Sequence, residues 1–191
     1  MESLVMGTRN PGKVRELAML LEGLPWAIKG LADLPPVDEP DEDGDTFEAN
    51  AIKKALYFSG CFGLPCVADD SGLVVDALDG APGLHSARYA GEHGTDGDRN
   101  AKLLAALEGV PETERTARFV CCAAFVRPGA PSHTEMGAVE GHILFAPRGH
   151  DGFGYDPLFV PEGFSLTEDK MAVSHRGRAF RKLRAYLELL R

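Results

Sequence analysis

The chain has 191 residues, 44% of them apolar and 26% charged, enough to bury a sizeable core within one domain, residues 1–191. Its net charge of −9, from 29 acidic against 20 basic side chains, argues against a nucleic-acid backbone as the main partner and suits a protein that recruits cations. No run approaches the roughly 20 apolar residues of a membrane helix, and no basic segment precedes Leu4-Val5-Met6, so no membrane partner is expected and the cytoplasm is the default location.

In chain order, Leu4-Val5-Met6 reads as a short buried strand that breaks at Gly7 and enters the turn Asn10-Pro11-Gly12. A helix follows: Val14, Leu17, Ala18 and Leu21 recur on one face, and the pattern closes at Gly23. Residues Asp33 to Asp45 are rich in proline and acids and form a loop. Asp45 with Glu48 has the spacing of an N-cap and its third-position partner, which predicts a second helix over Thr46 to Ser59. Its core face is Phe47, Ala51, Ala55 and Phe58, leaving Asn50 and Lys54 together on another face.

A strand at Cys66 to Ala68 delivers Asp69 and Asp70 into an Asp-Asp-Ser-Gly turn, and Leu73-Val74-Val75 begins another short strand. Asp79 to Gly83 is a further loop, after which Asp98 or a neighbour caps a helix carrying Leu103, Leu104 and Leu107. Two long strands, Arg115 to Arg127 and His133 to Ile143, flank Pro128-Gly129-Ala130-Pro131. So short a connection implies an antiparallel hairpin and hence a mixed sheet. Phe180, Leu183, Leu187 and Leu190 mark an amphipathic last helix. Cys61, Cys66, Cys121 and Cys122 lack any C-x-x-C spacing, so buried reduced thiols are expected rather than a zinc site, with Cys121 and Cys122 on opposite strand faces.

The chemistry concentrates in four segments. Adjacent carboxylates at the end of an apolar strand, Asp69 and Asp70, sit where ligands bind in open α/β sheets. The loop Thr8-Arg9-Asn10-Pro11-Gly12-Lys13 joins a strand to a helix N-terminus, where exposed N–H groups and a lysine charge favour a phosphate, although the Walker A glycine framework is absent. The acidic run Asp38-Glu39-Pro40-Asp41-Glu42-Asp43 is either a solvated charge run or, through one acid acting with Asp70, half of a Mg²⁺ site. His150 to Pro157 is glycine-rich, with Phe153 and Tyr155 either stacking a planar ring or anchoring a core. Ser174-His175-Arg176-Gly177-Arg178 offers a fork suited to a purine edge.

Six blocks in order carry a resemblance to the inosine triphosphate pyrophosphatases, which act on non-canonical purine nucleoside triphosphates. They are 8–13, Thr46-Phe47-Glu48-Ala49-Asn50-Ala51, Ala68-Asp69-Asp70-Ser71-Gly72-Leu73, Gly80-Ala81-Pro82-Gly83 with Ser86-Ala87-Arg88-Tyr89, Phe153-Gly154-Tyr155-Asp156-Pro157, and Ser174-His175-Arg176-Gly177. The resemblance implies an elongated α/β fold whose mixed central sheet is flanked by helices, with two lobes, an active-site groove between them, and a homodimer. It implies Asp70 as proton acceptor and Mg²⁺ ligand, Asp41 or Glu42 as the other metal-side acid, and Asp69 as a supporting carboxylate. Thr8, Arg9, Asn10, Pro11, Gly12, Lys13, Lys54 and Ser71 would hold the phosphates, while Phe153, Gly154, Tyr155, Asp156, Lys170, His175 and Arg176 frame the base. The implied reaction converts ITP, dITP or XTP and water to the monophosphate and diphosphate, clearing the nucleotide pool.

Two positions depart from the family's usual pattern, Arg9 for glycine and Asp41 for glutamate, and neither removes a required group. Lys13 and Lys54 with a Mg²⁺ supply the charge neutralisation that phosphoryl transfer requires, and the Asp69/Asp70 pair is expected to titrate as a coupled base. A nucleotide-binding module without catalysis and a Mg²⁺-dependent phosphomonoesterase are the rivals. Product analysis separates them.

Overall fold

The protein is described by a computed structural model covering residues 1–149, 153–163 and 173–190. Strands β1 (Glu2–Met6), β2 (Trp26–Gly30) and β3 (Cys66–Val75) begin a six-stranded sheet of order β2-β1-β3-β4-β5-β6, completed by β4 (Thr116–Val126), β5 (His133–Ile143) and β6 (Phe159–Pro161). β1 runs parallel to both β2 and β3, and β6 antiparallel to β5. β4 and β5 are neighbours joined only by residues 127–132, so they form the expected hairpin and the sheet is mixed. The short strands β2 and β6 escaped the sequence analysis; Trp26–Gly30 is confined between Pro25 and Gly30, too short a run to show a period.

Four longer helices accompany the sheet: α1 (Pro11–Leu20), α2 (Phe47–Phe62), α3 (Asp96–Ala106) and α4 (His175–Leu189). α1 starts because Asn10 caps it and Pro11 presets its first turn. α2 is capped by Thr46, whose Oγ1 accepts from Ala49 N–H at 3.0 Å, not by Asp45 as its spacing with Glu48 suggested. It also runs past Ser59 to Phe62, and ends where Gly63 takes a φ of +64°. α3 is capped by Thr95 and Asp98 acting reciprocally, so Asp98 is the cap's partner rather than the cap. Ser174 caps α4 through Gly177 N–H at 2.9 Å, and Phe180, Leu183 and Leu187 are its fully buried stripe.

The main correction concerns β3. Instead of two short strands around an Asp-Asp-Ser-Gly turn, Cys66–Val75 is one continuous strand through Asp69, Asp70, Ser71 and Gly72. Turn propensity loses here because the carboxylates are buried and partnered, so their side chains are held by tertiary contacts rather than by local backbone bonds.

The chain forms two compact units. The first holds residues 1–70, 121–137 and 170–191. Within it, strand alternation sorts side chains onto two faces. Leu4, Met6, Val67, Cys121, Ala123 and Phe125 meet Leu17 and Leu21 beside α1 and Phe180, Leu183 and Leu187 of α4. Val5, Cys66, Ala68, Cys122 and Ala124 face the other way, into the clusters that hold Ala51, Ala55 and Phe58 of α2. Cys121 and Cys122 therefore do point apart; all four cysteines are unbridged, but Cys61 is exposed rather than buried. The second unit, residues 71–120 and 138–169, gathers Leu73, Val75, Leu103, Leu107, Ile143, Tyr155 and Leu158 into a core of its own.

Helix α4 lies so close to β5 that a Cβ on Gly137 would stand 2.2 Å from the His175 carbonyl oxygen and 2.5 Å from Ala179 N. Both obstacles are backbone, so nothing can rotate away. Gly137→Ala should therefore destabilise the protein by at least the ~1–3 kcal/mol typical of overpacking, read as a lower midpoint in a denaturant titration.

Candidate active site

In the first unit the carboxyl ends of the parallel strands β1 and β2 lie beside the point where β3 runs on past its pairing with β1, close to the position where α/β sheets bind ligands. From β1 leaves the loop to α1, from β2 the chain that carries the acidic segment, and at the end of β3's paired stretch stand Asp69 and Asp70.

The loop after β1 is closed upon itself. Asn10 Oδ1 accepts from Gly12 N–H at 2.9 Å and Lys13 N–H at 3.2 Å, Val14 N–H bonds the Asn10 carbonyl, and Pro11 has no N–H to offer. The free helix-end amides anticipated for a phosphate are thus already satisfied. Thr8 Oγ1 accepts from Asn10 N–H at 3.3 Å, and Arg9 turns to the acidic segment, donating to the Val37 carbonyl and pairing with Glu39 at 3.8 Å. What this loop can give an anion is the charge of Lys13.

Lys13 is held by Asp69. Its Nζ lies 2.9 Å from Asp69 Oδ2, and Arg176 Nε lies 3.3 Å from the same oxygen. Arg176 also pairs with Glu16 of α1, and Cys121 Sγ stands 3.8 Å from Asp69 Oδ2. Asp69 is 1% exposed. Burial alone would raise its pKa, but the charges of Lys13, Arg176 and Lys54 hold it well below the usual carboxylate range. Burial and the Asp69 charge together drive the Cys121 thiol far up, so it is neutral. Arg176 is itself 2% exposed, with Nε engaged by Asp69 and Nη1 by Glu16. Glu16 escaped the sequence analysis because nothing local distinguishes a glutamate within a helix.

Asp70, the next residue on the strand, points to the opposite face. Asn50 Nδ2 donates to its Oδ2 at 3.0 Å, and Lys54 Nζ stands 4.0 Å from Oδ1. Asn50 and Lys54 share a face of α2, as their spacing required, and that face is buried against the carboxylate. Burial raises the Asp70 pKa above the ordinary value, against Lys54 and with the help of Glu42. The two aspartates hydrogen-bond to different partners and their environments shift them in opposite directions, although the charges of Lys13 and Lys54 act on both.

The acidic segment contributes through Glu42, whose Oε1 lies 2.5 Å from Lys54 Nζ. Asp41 is exposed, and Asp43 pairs with Lys53. Asn50 Oδ1 accepts from Gly44 N–H at 2.7 Å, so one buried amide ties this segment to Asp70. Glu42 and Asp70 thus present hard anionic oxygens to a single cation. No group of three metal-ligating side chains occurs among the described residues.

In the second unit the turn after β5 is internally bonded. Phe153 N–H donates to Asp156 Oδ2 at 3.0 Å and Gly154 N–H to Asp96 Oδ2 at 2.8 Å. Tyr155 is 4% exposed and its hydroxyl donates to the Ser86 carbonyl at 2.9 Å, so it is a core anchor and not a stacking surface. Ser71 is half-buried on β3 and His175 begins α4. Lys170 and His150 to Gly152 lie outside the described residues.

Since Asp69 neutralises two cations, Asp69→Asn should cost about 3–5 kcal/mol of unfolding free energy at neutral pH. A depressed carboxylate contributes stability above its unfolded value, near pH 4, and loses it as pH falls toward its folded one. Urea titrations should accordingly show the deficit of the variant persisting down to about pH 4 and closing only below.

Comparison with known proteins bears out the resemblance read from the six sequence blocks. Residues 4–186 match the model of the Ham1 family. A dITP/XTP pyrophosphatase of Geobacter sulfurreducens is 53% identical over 98% of this chain and 97% of its own, and one of Geobacillus kaustophilus is 48% identical over 96% and 93%. Among solved structures, a HAM1 protein from Coxiella burnetii superposes with a TM-score of 0.87 at 37% identity, covering 98% of both chains. A nucleoside-triphosphatase / dITP/XTP pyrophosphatase from Mycobacterium abscessus gives 0.78 at 44% identity over 95% of this chain and 98% of its own. With sequence and fold in agreement, the chain belongs to the Ham1 family.

Proposed function

We propose that this protein hydrolyses the non-canonical purine nucleoside triphosphates ITP, dITP and XTP to the monophosphate and diphosphate. The observation that carries the reading is Asp70, a buried carboxylate with a raised pKa beside Lys54 and Asn50, in a chain about half identical to named dITP/XTP pyrophosphatases. In this mechanism the attacking water gives its proton to Asp70 as its oxygen bonds the α-phosphorus; the bond from that phosphorus to the bridging oxygen breaks, and diphosphate leaves with the electron pair. A carboxylate raised toward the working pH is the better proton acceptor, and Asn50 aims it.

Lys13 and Lys54 supply positive charge to the phosphates; each already balances a carboxylate, so the chain alone holds them in place before substrate arrives. Asp70 with Asp41 or Glu42 would hold Mg²⁺, which when bound neutralises phosphate charge and polarises the phosphoryl oxygens. The ion pair of Glu42 with Lys54 supports Glu42 as a candidate for that second acid. Thr8 to Gly12 and Ser71 would line the phosphates around the charge of Lys13. Phe153 to Asp156, Lys170, His175 and Arg176 frame the base. Reading a 6-keto oxygen with donors rejects a 6-amino purine, because those donors are left unpaired. A homodimer in the cytoplasm, where it would clear the nucleotide pool, completes the reading.

Asp70→Asn keeps the shape and the Asn50 contact but removes the proton acceptor. Diphosphate release from ITP with Mg²⁺ should fall by about 10²–10⁴-fold while the thermal midpoint holds. Near-normal turnover would overturn the assignment, and release of orthophosphate in place of diphosphate would point to a phosphomonoesterase.

A further inference from the structure

Helix α3 carries two polar side chains one turn apart, and both close on the same glycine. Asp96 Oδ2 accepts from Gly154 N–H at 2.8 Å, and Asn100 Nδ2 donates to the Gly154 carbonyl at 3.0 Å. A carbonyl can only accept, so the orientation of the Asn100 amide follows from its partner. Both polar backbone groups of Gly154 are therefore taken by α3. Asn100 is 7% exposed, and its remaining oxygen, Oδ1, is buried with no hydrogen-bond partner among the described residues. Leaving such an acceptor unmade is a cost that an apolar residue at this position would avoid.

The anchoring continues on both sides. Arg99, between the two, pairs with Asp96 and donates to the Ala87 carbonyl at 3.0 Å and the Gly94 carbonyl at 2.6 Å. Tyr155 reaches the Ser86 carbonyl, and Ser86 Oγ in turn accepts from Leu73 N–H at 2.9 Å. Gly154 itself has a φ of +65°, while a Cβ there would meet nothing within 4 Å; glycine is needed for the backbone angle and not for space. A glycine in that region has no intrinsic stiffness, so the angle is held by what grips it.

We propose that Asp96 and Asn100 are positioning residues for base discrimination: by fixing both backbone groups of Gly154 they set the geometry of the 153–156 turn that frames the purine. The inference rests on the reading of this chain as a purine nucleoside triphosphate pyrophosphatase. It also removes the Gly154 N–H from the donors available to a base, since Asp96 already accepts from it. Selectivity between a keto and an amino group depends on donors that cannot shift to suit the wrong partner. Loosening the turn thus erodes discrimination more than it slows the preferred reaction.

The test compares kcat/KM for ITP and for ATP, by diphosphate release with Mg²⁺, in the wild type, Asn100→Asp, Asp96→Ala and Asp96→Asn. Asn100→Asp has the same size but no donor for the Gly154 carbonyl; Asp96→Ala lacks the acceptor, and Asp96→Asn retains one. The expected result is an ITP/ATP ratio lowered about tenfold in Asn100→Asp and Asp96→Ala, mainly through a higher KM for ITP, and largely rescued in Asp96→Asn. An unchanged ratio in the first two, whether activity is retained or falls equally on both substrates, overturns the inference, as does loss without rescue in a folded Asp96→Asn. Thermal midpoints separate these outcomes from unfolding, and Asp96→Asn serves where Asp96→Ala does not fold. A wild type that releases no diphosphate from ITP instead sinks the underlying reading, and the inference with it.

Discussion

A buried carboxylate with no water to solvate it must be neutralised by cations, and in this protein that requirement draws three elements to one oxygen. Asp69 of β3 binds Lys13 of α1 and Arg176 of α4, and Glu16 of α1 then answers the second cation. The arrangement fixes where α1 and α4 can lie against the sheet, because each has an ionic contact as well as an apolar stripe to satisfy. Burying charge costs several kcal/mol per ion and is repaid only by good geometry, so the cluster specifies position more than it adds stability.

The second consequence lies on the opposite face. With Asp69 facing α1 and α4, strand alternation leaves Asp70 no choice but to face α2, where Asn50 and Lys54 await it. Asn50 reaches further, to the backbone of Gly44, so the segment bearing Glu42 is held by the same amide that orients Asp70. The approach is tight: a Cβ on Gly44 would stand 2.7 Å from Asn50 Oδ1. A carboxylate answered by two cations on one side of the sheet and a carboxylate held by an amide and a lysine on the other are thus divided between consecutive residues, with opposite pKa shifts as the result.

Much of this was legible in the chain. The i, i+4 spacing put Asn50 and Lys54 on one face, alternation separated Cys121 from Cys122, and the proline-glycine connection announced the β4-β5 hairpin. Six short blocks carried the family, because local motifs survive without knowledge of the fold. What failed did so for a common reason: Asp-Asp-Ser-Gly has the local chemistry of a turn, and only partners distant in sequence, Lys13 and Arg176, make a strand of it. The protein partners of Arg176 and Tyr155 were likewise hidden from residue type alone. Asp96, Asn100 and Glu16 give no signal, since a polar residue on a helix is by default solvated.

The continuity of β3 places a demand on evolution that a turn would not. In a loop, one residue could be gained or lost ahead of the carboxylates and the two side chains would still find their places. Along a paired strand, a shift of one position would exchange the faces of Asp69 and Asp70, turning one carboxylate away from Lys13 and Arg176 and the other away from Asn50. The spacing between Cys66 and Asp70 is for that reason a quantity counted in whole residues. Insertions in this protein should be tolerated beyond α3, and not in the strand that carries the acids.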